Sequence, residues 1–292
     1  MPATIRSCVE ATAARFANAD LYYGHGTDNA HDEAVYLVFA ALDLPFDCSE
    51  SALDKPLDAA VETRIQELVR QRIEERRPTA YLVNQAWFCG LSFYIDERVL
   101  VPRSPIAELI ETGFTPWLDP AAVGSVLDVG TGSGCIAIAC AYAFPNARID
   151  AIDNQPAALA VAQRNIDAHN LGARVNAIES DLFTELADRR YDLVIANPPY
   201  VDAADMAALP PEYRHEPAPA LAAGVDGLAV VERLLDEVTG YLSAGGILVI
   251  EVGNSRAALE RARPELPMLW LEFERGGSGV CLLEAGALAA SR

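Results

Sequence analysis

The chain has 292 residues, of which 51% are hydrophobic and 22% charged, and its formal net charge is −20. That length suits one large domain with a smaller one. The acidic balance disfavours duplex DNA, whose phosphates are bound by clustered Lys and Arg; it favours a basic partner or simply serves solubility.

Residues 1–16 read as an amphipathic helix with Ile5, Val9, Ala13 and Phe16 on one face, and they lack an apolar export signal. Without any long apolar run to span a membrane, a cytoplasmic protein is expected. A second helix is predicted from about His31 to Leu42, capped by Asp28 or Asn29. A third carries Val61, Ile65, Leu68 or Val69, and Ile73, and stops before Pro78. Arg70, Arg72, Arg76 and Arg77 read as its solvated end, where cations also suit the helix dipole. Residues 1–83 thus form a predicted small helical domain. The aromatic-rich runs 86–89 and 91–95 pivot on Gly90 as a β-hairpin, and 84–104 is hairpin plus linker. Arg103 lies between Pro102 and Pro105, either as a surface residue on a connector or lining a site between the domains.

From Val123 the rhythm becomes strand–helix–strand. Short apolar runs at 125–129, 148–152, 174–178, 191–196 and 247–251 alternate with helical patterns near 134–144, 156–169 and 227–242. That alternation predicts a parallel sheet with helices on both faces. Residues 269–273 and 280–283, joined by a glycine-rich turn, read as an antiparallel hairpin. The fold class expected for 105–292 is therefore α/β, a Rossmann-like class I methyltransferase sheet ending in an antiparallel hairpin. The six cysteines are scattered, with no C-x-x-C pair and no His/Cys cluster, so reduced thiols and no metal site are expected.

Val126–Val129 runs into Gly130-Thr131-Gly132-Ser133-Gly134, which opens a helix. A dinucleotide fingerprint requires G-x-G-x-x-G, and its third glycine would fall at Cys135. The spacing found, G-x-G-x-G with Asp128 two residues ahead, resembles the S-adenosylmethionine loop of class I methyltransferases. That resemblance implies an Asp128 carboxylate facing the ammonium side of the cofactor. Asp153, beside Asn154, ends the second strand, where a carboxylate can accept from both ribose hydroxyls. Asp181 and Leu182 follow the third strand, where such enzymes often hold adenine. Taken singly, Asp153 and Asp181 are also ordinary turn or cap residues; in series with the glycine loop they read as a cofactor site.

Asn197-Pro198-Pro199-Tyr200 follows the buried run 191–196. The prolines fix φ and hold Asn197 extended on a stiff backbone, at the sheet end where open α/β folds bind ligands. The motif resembles that of methyltransferases acting on planar amino groups, either base amines or glutamine amides. The Asn197 side-chain carbonyl and the Pro198 backbone carbonyl would then accept from the two N–H groups. Tyr200 would stack on the flat group and offer its π face to the sulfonium. Positioning and electrostatics suffice for such a transfer, with no catalytic His required.

Nearly the whole chain resembles the protein-(glutamine-N5) methyltransferase family. One branch of that family modifies peptide-chain release factors, usually with Pro-Arg-Pro-(Asp/Glu)-Thr-Glu after the hairpin; here the stretch is Pro102-Arg-Ser-Pro-Ile106. Tyr23-Gly-His-Gly-Thr-Asp-Asn29, Trp87-Phe-Cys-Gly90, Glu97–Arg103 and Glu212-Tyr-Arg-His-Glu-Pro217 are similar to the branch that modifies the third large-subunit ribosomal protein. The resemblance implies one methyl transferred from S-adenosylmethionine to a glutamine amide of that basic protein. Alternatives are the same reaction on release factors, adenine-N6 methylation of nucleic acid, and a non-catalytic ribosome assembly factor. The cofactor loop together with the tetrapeptide argues against the last, since docking alone needs neither.

Overall fold

The computed structural model describes residues 3–291; Met1, Pro2 and Arg292, which fall within the expected domain spans, lie outside it. The amino-terminal part comprises α1 (Ile5–Ala17), α2 (Ala30–Leu42), the single-turn α3 (Glu50–Leu53), α4 (Ala59–Glu74) and α5 (Thr79–Val83). Side-chain oxygens of Thr4, Asn29 and Asp58 accept free N–H groups at the starts of α1, α2 and α4. The faces read from spacing close on one another: Ile5, Val9, Phe16, Leu37, Ile65 and Val69 share one buried cluster. In α5, by contrast, Ala80 and Tyr81 pack into the core beneath the sheet.

Strands β1 (Ala86–Phe88) and β2 (Leu91–Phe93) form the antiparallel hairpin, turning at Cys89 and Gly90, both at positive φ. After α6 (Ile106–Glu111) come β3 (Ser125–Val129), α7 (Cys135–Ala143), β4 (Arg148–Asp153), α8 (Pro156–Ala168), β5 (Val175–Glu179) and β6 (Tyr191–Ala196). Then follow α9 (Ala203–Ala208), α10 (Ala229–Glu237), β7 (Leu242–Glu251), α11 (Arg256–Ala262), β8 (Leu269–Trp270), β9 (Val280–Glu284) and α12 (Ala285–Ala290). The seven-stranded sheet has the order β5-β4-β3-β6-β7-β9-β8. Its central strands β3 and β6 are largely apolar and buried because cores lie on both faces, whereas β4 and the edge strand β5 carry polar residues. The carboxyl-terminal hairpin is present, with β9 antiparallel to both β7 and β8. Strand order reverses between β3 and β6, so their carboxyl ends flank a crevice, the usual ligand position in open α/β sheets. Among the described residues no helix is long and apolar enough to cross a membrane.

One expectation fails in the helical part. Arg70 is at the surface, pairing with Glu67, Glu74 and Glu75, but Arg72 is only 1% exposed. Its guanidinium donates to Glu33, Glu212 and the Tyr22 carbonyl. Arg76 also reaches Glu212, and Arg77 pairs with Glu97. A charge removed from water needs its partners, so the stretch read as a solvated helix end instead fastens α4 to α2 and to the segment after β6. Removing one member leaves carboxylates buried and uncompensated. Arg72→Ala is therefore expected to lower unfolding free energy by about 3–5 kcal/mol, measured by urea denaturation; a loss comparable to that of a surface arginine would contradict this account.

Candidate active site

A cleft of about 850 Å³ opens at the carboxyl ends of β3, β4 and β6. Gly130, Thr131, Gly132, Asp153, Asn154, Asp181, Leu182, the tetrapeptide Asn197–Tyr200 and Arg103 all line it. Two motifs 67 positions apart in sequence thus share one wall, since β3 and β6 pair in register up to Val129 opposite Ala196. At Gly130, with φ +71, a Cβ would stand 4.0 Å from the Asn197 carbonyl oxygen. The positive φ lets the loop turn there, beside the tetrapeptide, without strain.

Asp128 and Gly134 do not line the cleft. Asp128 is buried beneath the loop, where its Oδ2 accepts from Thr131 Oγ1 at 2.6 Å and from the Ala137 N–H at 3.1 Å. It ties the loop to the first turn of α7 rather than presenting a free carboxylate. Burial pushes its carboxyl up to about 7, against the hydrogen bonds from Thr131 and Ala137. Gly134, at φ +80, starts α7 where a Cβ would lie 3.3 Å from that of Ala162, so it serves helix packing.

Asp153 does two things. Its Oδ2 accepts from the Gly132 N–H at 3.0 Å, and its Oδ1 accepts from the Gln155 N–H at 2.9 Å. Burial raises its pKa, with those N–H groups opposing the rise. Asp181 instead takes Arg233 Nη2 at 2.9 Å, a half-exposed pair.

The tetrapeptide is braced from behind. Tyr200 donates its hydroxyl to Glu251 Oε1 at 2.8 Å, and Ser104 Oγ donates to Glu251 Oε2 at 2.6 Å. Burial raises the pKa of Glu251, and the bonds from Ser104 and Tyr200 offset part of the rise. A Cβ on Gly253 would stand 2.5 Å from the Tyr200 ring, so the ring lies directly on that backbone. A Cβ on Gly279 would in turn meet the Gly253 carbonyl oxygen at 2.2 Å. Among the described residues nothing hydrogen-bonds the Asn197 side chain, which leaves its carbonyl and amide available in the cleft.

Arg103 is less available. Its guanidinium makes a two-pronged pair with Glu216, which also accepts from the Val101 N–H, and it lies 5.2 Å from the Tyr213 ring centroid. Sequence reasoning missed Glu216, Tyr213 and Glu251. The only signal for the first two was the stretch Glu212–Pro217, notable as a resemblance without an assigned task. Among the described residues no group of three or more His, Cys, Asp or Glu could hold a metal ion, and all six cysteines are free.

Comparison with known proteins places this geometry in context. Residues 114–209 match a family model described as methyltransferase small domain. The chain is 47% identical over 295 aligned positions to a protein of Burkholderia pseudomallei named ribosomal protein uL3 glutamine methyltransferase, covering 98% of this chain and 96% of that one. It is 46% identical to the Bordetella pertussis protein of the same name, over 96% and 94% of the two chains. The catalytic domain of hMettl16, solved with a MAT2A 3′UTR hairpin, superposes with a TM-score of 0.54 at 16% identity, covering 85% of this chain and 89% of that one. The last likeness concerns the fold alone.

The buried Asp128 carboxyl has a measurable consequence. With a folded pKa near 7 against an ordinary value of 3.8, the folded chain keeps a proton that the unfolded chain releases. Its contribution to stability is therefore full below about pH 4 and declines as pH rises towards 7, by up to roughly 4 kcal/mol. Denaturant unfolding of the protein and of Asp128→Asn across that window is expected to show the variant gaining on the parent as pH rises. A constant difference would mean that Asp128 titrates normally.

Proposed function

The chain belongs to the family of ribosomal protein uL3 glutamine methyltransferases, and we propose that it methylates the side-chain amide nitrogen of a glutamine in uL3. What carries this reading is the meeting of the glycine loop and the Asn197 backbone at Gly130, which puts a cofactor loop and two amide acceptors in one cleft. S-adenosylmethionine, when bound, supplies an electrophilic methyl on sulfur. The residues present suit that group: no heavy atom outside its chain neighbours lies within 4 Å of where a Gly132 Cβ would be. Asp153, with Asn154 beside it, lies where it can accept from ribose hydroxyls while also holding Gly132. Asp181 and Leu182 form the wall suited to adenine, Asp181 sharing its charge with Arg233. Thr131 contributes through its loop backbone, and Asp128 and Gly134 shape the loop from behind.

An amide nitrogen is a weak nucleophile because its lone pair is delocalised. The Asn197 Oδ1 and the Pro198 carbonyl oxygen can accept from its two N–H groups, which holds the nitrogen in place and favours tetrahedral character. The stiff Pro198-Pro199 backbone means little ordering is left to do in the reacting complex. Tyr200, braced by Glu251 and resting on Gly253, presents a fixed ring to the flat amide. Arg103 contributes to substrate binding by holding the linker wall through Glu216.

Residues 1–83 we assign to substrate recognition, with 84–104 as hairpin and linker and 105–292 as the catalytic part. The segment 202–223 joins the first to the last. A basic ribosomal protein suits the charge of −20, which attracts such partners and repels phosphate backbones. A cytoplasmic location follows from that substrate.

Purified chain given labelled S-adenosylmethionine is expected to label unmethylated uL3 and neither release factor nor DNA; label mainly on release factor would overturn the substrate assignment. Asn197→Ala is expected to abolish turnover, a loss of at least about 10²-fold as for removal of a transition-state hydrogen-bonding group. Cofactor affinity measured by calorimetry should stay near that of the parent. Activity close to the parent's would refute the amide clamp.

A further inference from the structure

A second groove of about 320 Å³ lies on the far side of the Val101–Pro102 strap, and those two residues line both it and the catalytic cleft. The hairpin is also a shared wall. On β1, Phe88 lines the cleft while Ala86 and Trp87 line the groove. Three observations give the groove a chemistry. Phe46 and Trp87 are 50% and 42% exposed and meet edge to face, with ring centroids 5.4 Å apart. Asp32 lines the same groove, and Asp28 and Asp47 adjoin the lining residues Thr27 and Phe46 in sequence. All three acids are exposed, and among the described residues none is paired with a base. His25, 7% exposed, lines the groove with both ring nitrogens lacking a hydrogen-bond partner; Nε2 stays 3.7 Å from Glu216 Oε2.

We propose that this groove docks an extended, positively charged segment of the protein substrate next to the glutamine being methylated. The inference rests on the uL3 reading above and adds where and how the substrate is gripped. A lysine or arginine of the segment inserts at the Phe46–Trp87 pair, gaining cation–π contact and the charge of Asp32. The His25 ring, its nitrogens closed off from solvent and its Nε2 turned to Glu216, forms part of the floor on which that segment lies. Because the groove and the cleft share the Val101–Pro102 wall, a chain can place its glutamine beside Asn197 and its flank here without leaving the surface. An unpaired acidic rim excludes a nucleic-acid occupant.

The test is the affinity of the full-length enzyme for unmethylated uL3, read by fluorescence anisotropy and, in parallel, the KM and kcat for methyl transfer. Phe46→Ala/Trp87→Ala is expected to weaken binding and raise KM by about tenfold or more, as aromatic anchors do, with kcat changed less than about threefold. Asp32→Asn/Asp47→Asn, a milder surface change, is expected to weaken binding a few-fold and to flatten its loss with added salt. Both variants are checked by circular dichroism and cofactor affinity, so that a misfolded aromatic variant leaves the charge variant as the deciding one. Affinity and KM unchanged in the folded variants, with uL3 methylated normally, would overturn the groove and leave the activity standing. Weakened binding in the variants of an enzyme that never methylates uL3 would do the reverse. Self-association of the parent that the aromatic variant abolishes would assign the groove to a second copy and overturn the proposal.

Discussion

Two carboxylates on one short segment hold this molecule together. Glu212 and Glu216 lie four residues apart, both fully buried as side chains. Neither is tolerable there alone. Glu212 takes Arg72 from α4, Arg76 just beyond its end, and the Tyr22 N–H; Glu216 takes the fork of Arg103 and the Val101 N–H. The first set fastens the amino-terminal helices and the second the linker that walls the cleft. Such pairs do little for net stability relative to an apolar core, but they exclude alternative arrangements, since any displacement strands a charge. The relation between the helical part and the catalytic sheet is thereby fixed by chemistry as well as by packing.

That fixity matters to the proposed transfer, which calls on no acid, base or nucleophile and relies on position. In the proposed reaction the work falls to placement: a glycine loop tied down by Asp128 and Asp153, and an asparagine on a proline-stiffened strand end. The supports are indirect. Asp128 is spent on Thr131 and Ala137, and Glu251 on Tyr200 and Ser104, so each buried carboxylate positions a residue that itself faces the cleft. Preorganisation of this kind lowers a barrier without contributing any reacting group.

What could be read from the sequence was whatever depends on neighbours along the chain. The helices of the amino-terminal part, the alternating strands and the glycine loop all show in local spacing, because the 3.6- and 2-residue periods and glycine's backbone freedom are local matters. The closing hairpin was legible for the same reason. Long-range pairings were not. Arg72 looks like any arginine in a basic run; its partners lie 39 residues before it and 140 after it. Asp181 gives no hint of Arg233, and the inward turn of Asp128 depends on a helix that begins seven residues later. The α9 and α12 helices, six residues each, are too short and too alanine-rich to show an apolar stripe.

The contact between Gly279, Gly253 and the Tyr200 ring orders events in time as well as in space. Gly279 immediately precedes β9, which fills the gap between β7 and β8. On the ribosome, the cofactor loop and the tetrapeptide emerge long before the strand whose entry sets the floor under the tyrosine. The two motifs that meet at Gly130 thus share one dependence: the backbone under the tyrosine ring is itself backed by the turn that leads into β9.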